Sequence, residues 1–126
     1  MATTIVLADD DDDIRTLYAT LLRADGHQVW DTAKGEDVLS LIRDHRPRLL
    51  LLDVWMPGMN GFEVLEQMRH DPASATVRVV MLSNMSDADT RMECFEMGAA
   101  DYLIKGLPLD EFRDRVGRIL EAGPLS

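Results

Sequence analysis

The run Leu49-Leu50-Leu51-Leu52-Asp53, entered through Pro47, constrains this chain more than any other stretch. Four consecutive leucines leave no polar face, so they do not fit a half-exposed alternating strand; they predict a strand buried on both sides, as in a parallel sheet covered by helices. The strand closes on a carboxylate. In such sheets ligands bind beyond the carboxyl ends of the strands, which puts Asp53 where chemistry is usually found. Val54-Trp55-Met56-Pro57-Gly58-Met59-Asn60-Gly61 then supplies the turn formers that stop the strand, and Phe62, Leu65 and Met68 open a helical period running to about Arg69.

The same unit recurs along the chain. Thr4 to Ala8 predicts a strand that ends in the acidic run Asp9 to Asp13, followed by Ile14, Leu17, Tyr18, Leu21 and Leu22 at helical spacing and a stop at Gly26. Asp11 to Asp13 are read as helix capping and surface charge. Gln28 to Trp30 predicts a second strand, and Val38, Leu39, Leu41 and Ile42 a second helix ending before Pro47. Val77 to Leu82 is another doubly buried strand, closed by Ser83-Asn84. Ser86-Asp87-Ala88-Asp89 resembles a capping box with Asp in place of Glu, opening a helix with the period Ala88, Met92, Phe95 and a stop at Gly98. Tyr102 to Ile104 is the fifth strand, ending in Lys105. Pro108 suits the first turn of a last helix with Phe112, Val116, Ile119 and Leu120 on one face. Met81, Met85, Met92 and Met97 are read as core filling, ahead of the alternative that soft side chains around the fourth helix form a surface accommodating several partners, and Cys94 as an inert helix residue.

Strict alternation of strand and helix with short connections gives an α/β fold, a doubly wound five-stranded parallel sheet with right-handed crossovers. At 126 residues the expectation is a single domain, 1–126, burying roughly 65–70% of its unfolded surface. A lone cysteine excludes an internal disulfide, and the start lacks the pattern of a signal peptide, so the cytoplasm is the expected compartment. No apolar stretch approaches the roughly 20 residues needed to cross a bilayer. The net charge of −10, from 13 basic and 23 acidic residues, argues against direct nucleic-acid or membrane binding. His27, His45 and His70 are scattered, which argues against a zinc site or a phosphohistidine donor.

Parallel topology gathers the strand ends at one edge, so Asp9, Asp10, Asp53, Ser83 and Lys105 are expected to converge. Carboxylates about 4 Å apart repel by up to about 4 kcal/mol per pair at an effective dielectric of about 20, so three together call for a cation. All-oxygen ligands select a hard ion, and Mg²⁺ suits one or two carboxylates with water and a phosphoryl oxygen. A carboxylate can also attack phosphorus to give an aspartyl phosphate, with a metal, an ammonium and a hydroxyl stabilising the equatorial oxygens.

The segments IVLADDDDDIRTL, LLLLDVWMPGMNGFEVL, VVMLSN and GAADYLIK, taken jointly, resemble the receiver domains of bacterial two-component response regulators over essentially the whole chain. The resemblance implies the flavodoxin-like strand order 2-1-3-4-5 and a domain switched by phosphorylation. Asp53 would be the phosphoacceptor and Asp10 a direct Mg²⁺ ligand together with Asp53. Asp9 would act through water, and the backbone carbonyl of Trp55 would complete the metal shell. Ser83 and Lys105 would hold phosphoryl oxygens, with Ser83 and Tyr102 as switch residues. The donor would be a histidine kinase, a histidine phosphotransfer protein or a small acyl phosphate, and the reader a downstream protein or an output domain outside this chain, whose last helix is followed only by Gly123-Pro124-Leu125-Ser126.

Two positions depart from the family pattern. Gly106 follows Lys105 where the family usually has a proline in a cis peptide. Without proline a cis bond costs about 2.5–4 kcal/mol, so Lys105–Gly106 is expected to be trans, the glycine supplying unusual dihedrals. Asn84 stands where Ala or Gly is usual and, with Trp55 and Met85, is expected to control access to the site. Other functions fit less well. An aspartate-nucleophile phosphatase of the haloacid dehalogenase kind needs an acid where Trp55 stands, and in a flavodoxin-type module the aspartates after the first strand would repel the flavin phosphate.

Overall fold

The computed structural model describes residues 3–122; the final Gly123-Pro124-Leu125-Ser126 segment lies outside them. Five strands, β1 (Thr4–Ala8), β2 (Gln28–Thr32), β3 (Leu49–Asp53), β4 (Arg78–Ser83) and β5 (Asp101–Ile104), alternate with helices α1 (Asp12–Ala24), α2 (Val38–His45), α3 (Gly61–Arg69), α4 (Ala88–Glu96) and α5 (Leu109–Glu121). The sheet is parallel throughout, in the order β2-β1-β3-β4-β5. This is the predicted doubly wound arrangement.

The leucine run shows why it had to be. All four leucines are fully buried, Leu49 and Leu51 in the core packed by Tyr18 and Leu22 of α1 and Phe112 and Val116 of α5, Leu50 and Leu52 in the core packed by Ile42 of α2, Val64 and Leu65 of α3 and Cys94 of α4. Period-two alternation sends successive side chains to opposite faces, and both faces are covered. At about 1.5–3 kcal/mol for each buried leucine, no other placement of this segment competes. Among the described residues, no helix is long and apolar enough to cross a membrane.

Several local expectations are corrected. Asp87, not Ser86, caps α4: its carboxylate accepts from the Asp89 amide and from the Thr90 hydroxyl. The period Ala88, Met92, Phe95 is an outward face, with Met92 61% exposed, while Thr90 and Cys94 are the residues α4 buries. Of the four methionines read as core, Met81 is buried and Met97 packs partly against the core, but Met85 and Met92 are exposed. Burial pushes the Cys94 thiol up to about 11, in keeping with an inert residue. β2 runs two residues further than its apolar pattern, and Pro108 is the N-cap of α5 rather than part of its first turn.

Candidate functional site

β1 and β3 are neighbours with Ala8 opposite Leu52, so the residues that follow, Asp9 and Asp53, leave the sheet side by side. Both are buried, whereas Asp10 is exposed, and carboxylate oxygens of all three lie within 4.8 Å of one another. Lys105, one residue past the end of β5, reaches back with a side chain only 5% exposed. Its Nζ lies 2.9 Å from Asp9 Oδ2, 3.0 Å from Asp9 Oδ1 and 3.1 Å from Asp53 Oδ2. The Lys105 amide donates to the Ser83 carbonyl, locking the base of that side chain to β4.

One ammonium therefore pairs with two of the three acids, Asp9 and Asp53. Burial, then the Asp10 carboxyl and the Asp9 charge, push Asp53 up to about 7 against the opposing pull of Lys105. Burial alone would lower the Lys105 pKa, but Asp9 and then Asp53 outweigh it, so the group stays charged. Asp9 Oδ2 and Asp53 Oδ2 are buried without a hydrogen-bond partner of their own, although each lies close to Nζ. Three carboxylates gathered around one ammonium leave surplus negative charge in an all-oxygen cluster, which a divalent hard cation would offset, and the residues present fit Mg²⁺.

Ser83 ends β4, one residue beyond the partner of Asp53 in the register, and is buried. Its Oγ accepts from the Met85 amide at 3.1 Å. The carbonyl of that same Met85 accepts from the Tyr102 hydroxyl at 2.7 Å, and Tyr102 is itself 5% exposed. Both switch candidates thus hold one peptide segment from opposite ends. Trp55 donates its amide to Asp53 Oδ1 at 3.2 Å and stands its ring edge-on to Phe62. Trp55, Asn84 and Met85 are all exposed at the rim. No peptide bond among the described residues is cis, and Gly106 has φ 91°, a region that costs an L side chain energy, in agreement with the expectation for Lys105–Gly106.

The sequence reading missed Arg15, whose guanidinium donates to the Asp9 carbonyl oxygen at 2.8 Å. An arginine on the second turn of a helix carries no sign of this in the chain itself. It also missed the capping box of α3, where Asn60 and Glu63 exchange side-chain to backbone hydrogen bonds; Asn three residues before Glu was the available signal.

Comparison with known proteins gives one consistent result. The sequence matches the family model for the response regulator receiver domain over residues 5–117. It is 36% identical over 118 residues to the transcriptional regulatory protein AfsQ1 of Streptomyces coelicolor, covering 94% of this chain and 48% of that protein. It is 33% identical to the sporulation initiation phosphotransferase F of Bacillus subtilis, covering 92% of both. The BeF3-activated N-terminal receiver domain of Klebsiella pneumoniae RstA superposes with a TM-score of 0.85 at 27% identity, covering 93% of this chain and 97% of that one. The chain thus spans about half the length of AfsQ1 and nearly all of the sporulation protein.

Proposed function

Because the chain belongs to the family of response regulator receiver domains, we propose that Asp53 is its phosphoacceptor and that residues 1–126 make one such domain. The observation that carries the assignment is the placement of Asp53: a buried carboxylate at the end of the central strand, 3.1 Å from the Lys105 ammonium and beside two further acids. Receiver domains take phosphoryl groups in signalling from histidine kinases and connect to output functions. Here the donor is a phosphohistidine of a kinase or a histidine phosphotransfer protein, or a small acyl phosphate, and the reader is a downstream protein or an output domain outside this chain. The expected compartment is the cytoplasm.

An Asp53 carboxylate oxygen attacks phosphorus, an O–P bond forms, and the bond from phosphorus to the donor's imidazole nitrogen breaks, leaving that nitrogen to take a proton from solvent. Lys105, already held between Asp9 and Asp53, turns one ammonium hydrogen toward a phosphoryl oxygen, and the Ser83 hydroxyl donates to another. Asp10, Asp53 and the backbone carbonyl of Trp55 would hold Mg²⁺, with Asp9 acting through water; when bound, the ion offsets the charge of the carboxylates and phosphoryl oxygens. In this sense the domain assists its own phosphorylation without being an enzyme. Ser83 gives up the Met85 amide when it turns to the phosphoryl group, and Tyr102, bonded to the Met85 carbonyl, carries that change to the surface. Trp55, Asn84 and Met85 screen the phosphoryl group from an attacking water, since neither Trp nor Met accepts a proton from it.

Incubation with acetyl phosphate and Mg²⁺ should add one phosphoryl mass to the chain, and Asp53→Asn should abolish the gain. Unchanged labelling of the variant would remove Asp53 from the role. Decay of the label after the donor is withdrawn reports the screening, and Trp55→Asn combined with Met85→Glu should shorten it.

A further inference from the structure

The phosphotransfer chemistry makes no use of Arg15, yet its guanidinium is held by acceptors from three elements around the site. Nη1 donates to the Asp9 carbonyl oxygen at 2.8 Å, Nη2 to Asp12 Oδ1 at 2.6 Å, and Nε lies 3.3 Å from Asp31 Oδ2 on β2. The Arg15 side chain is 17% exposed. A solvated surface pair leaves a long side chain many orientations, whereas a largely buried planar fork anchored on a backbone carbonyl, with Asp31 and the exposed Asp12 on its other nitrogens, has few.

What the fork holds is the peptide unit joining Asp9 to Asp10. Asp9 is already fixed on its other sides: its amide donates to the Thr32 carbonyl, and its Oδ1 accepts from the Asp11 amide and from Lys105. Asp10 is exposed and has no burial to orient it. Turning the Asp9–Asp10 peptide about its flanking torsions would swing the Asp10 carboxylate away from Asp53. We propose that Arg15 is a positioning residue for the cation site: by clamping the Asp9 carbonyl against β2 and the start of α1, it aims Asp10 at the metal. The proposal rests on the reading of Asp9, Asp10 and Asp53 as the Mg²⁺ site.

Charge alone predicts the opposite sign. A guanidinium in contact with the end of β1 repels a divalent cation, so its removal should tighten Mg²⁺ binding if Arg15 acted only through its field. Loss of an orienting group behind a ligand typically weakens metal affinity by about tenfold or more. Mg²⁺ alone is titrated into the full chain, followed by the tryptophan fluorescence of a Trp30→Phe background, which leaves Trp55, whose amide contacts Asp53, as the one indole, and by the rise in melting temperature, with circular dichroism in chelator confirming the fold. Arg15→Gln is expected to weaken binding by about tenfold, and Arg15→Lys, which keeps the charge and loses the fork, to weaken it several-fold. Unchanged or tighter binding in Arg15→Gln overturns the proposal. If Arg15→Gln does not fold, Arg15→Lys decides: parental affinity in that variant overturns it. A parent chain that binds no Mg²⁺ would instead defeat the reading of the site itself, and the clamp with it.

Discussion

α3 and α4 are built to the same length, nine residues each, and each follows a strand that delivers a residue to the site, yet they are seated very differently. α3 buries Gly61, Val64, Leu65 and Met68 and starts with a reciprocal capping box. Its first residue is packed so closely that a Cβ at Gly61 would come 2.6 Å from the Asp53 carbonyl oxygen. α4 buries only Thr90 and Cys94 and turns Met92 and Phe95 to solvent. The difference divides the labour. Asp53, the proposed phosphoacceptor, stands at the foot of a closely packed unit, and the Ser83 hydroxyl stands at the root of a unit with little apolar area to hold it still.

The largest effect that would break this contrast is on stability. Leu65→Ala in α3 should cost about 2–5 kcal/mol in urea unfolding, and Met92→Ala in α4 no more than about 0.5. Comparable losses would mean that α4 is as firmly seated as α3.

The second prediction uses the immobility of Asp53. With its native pKa raised to about 7 and an unfolded value of about 3.9, the folded chain holds a proton that the unfolded chain lacks between those limits. Stability of the chelated protein should therefore fall as pH rises from about 4 to 7. Melting temperatures in chelator should show that slope in the parent, a flatter one in Asp53→Asn, and a flatter one in the parent with saturating Mg²⁺. Equal slopes in parent and variant would mean that the carboxylate finds relief by moving.

The smallest effect sharpens the contrast. Tyr102→Phe removes the hydrogen bond to the Met85 carbonyl, worth about 0.5–1.5 kcal/mol. Amide exchange should quicken by a corresponding few-fold in the β4–α4 loop and the first turn of α4, with α3 unchanged. Matching changes in both helices would show that the two units are not separable.

The parts of the fold legible in the sequence were those where the pattern had one physical solution. Leu49 to Leu52 could only be covered on both faces, and alternating elements with short links fixed a parallel sheet whose ends gather Asp9, Asp53, Ser83 and Lys105. α4 misled because its period of Ala88, Met92 and Phe95 is helical but faces water, and spacing alone does not say which face is inward. Thr90 and Cys94, small and weakly apolar, gave no competing signal. At the site, the residue types announced the chemistry, but the contacts through backbone did not: the Arg15 hold on the Asp9 carbonyl and the Tyr102 bond to Met85 depend on where carbonyls point, which no side-chain pattern encodes.

Met85 receives Ser83 at its amide and Tyr102 at its carbonyl, and its own side chain takes part in neither bond. The wiring between the two residues is thus written in main chain, where every amino acid except proline offers the same two groups. Side-chain variation at this position leaves the connection standing while changing the exposed side chain at the rim of the site. Under the proposed function, the duration of a signal and its transmission can therefore drift independently in descendants of this chain, at one and the same residue.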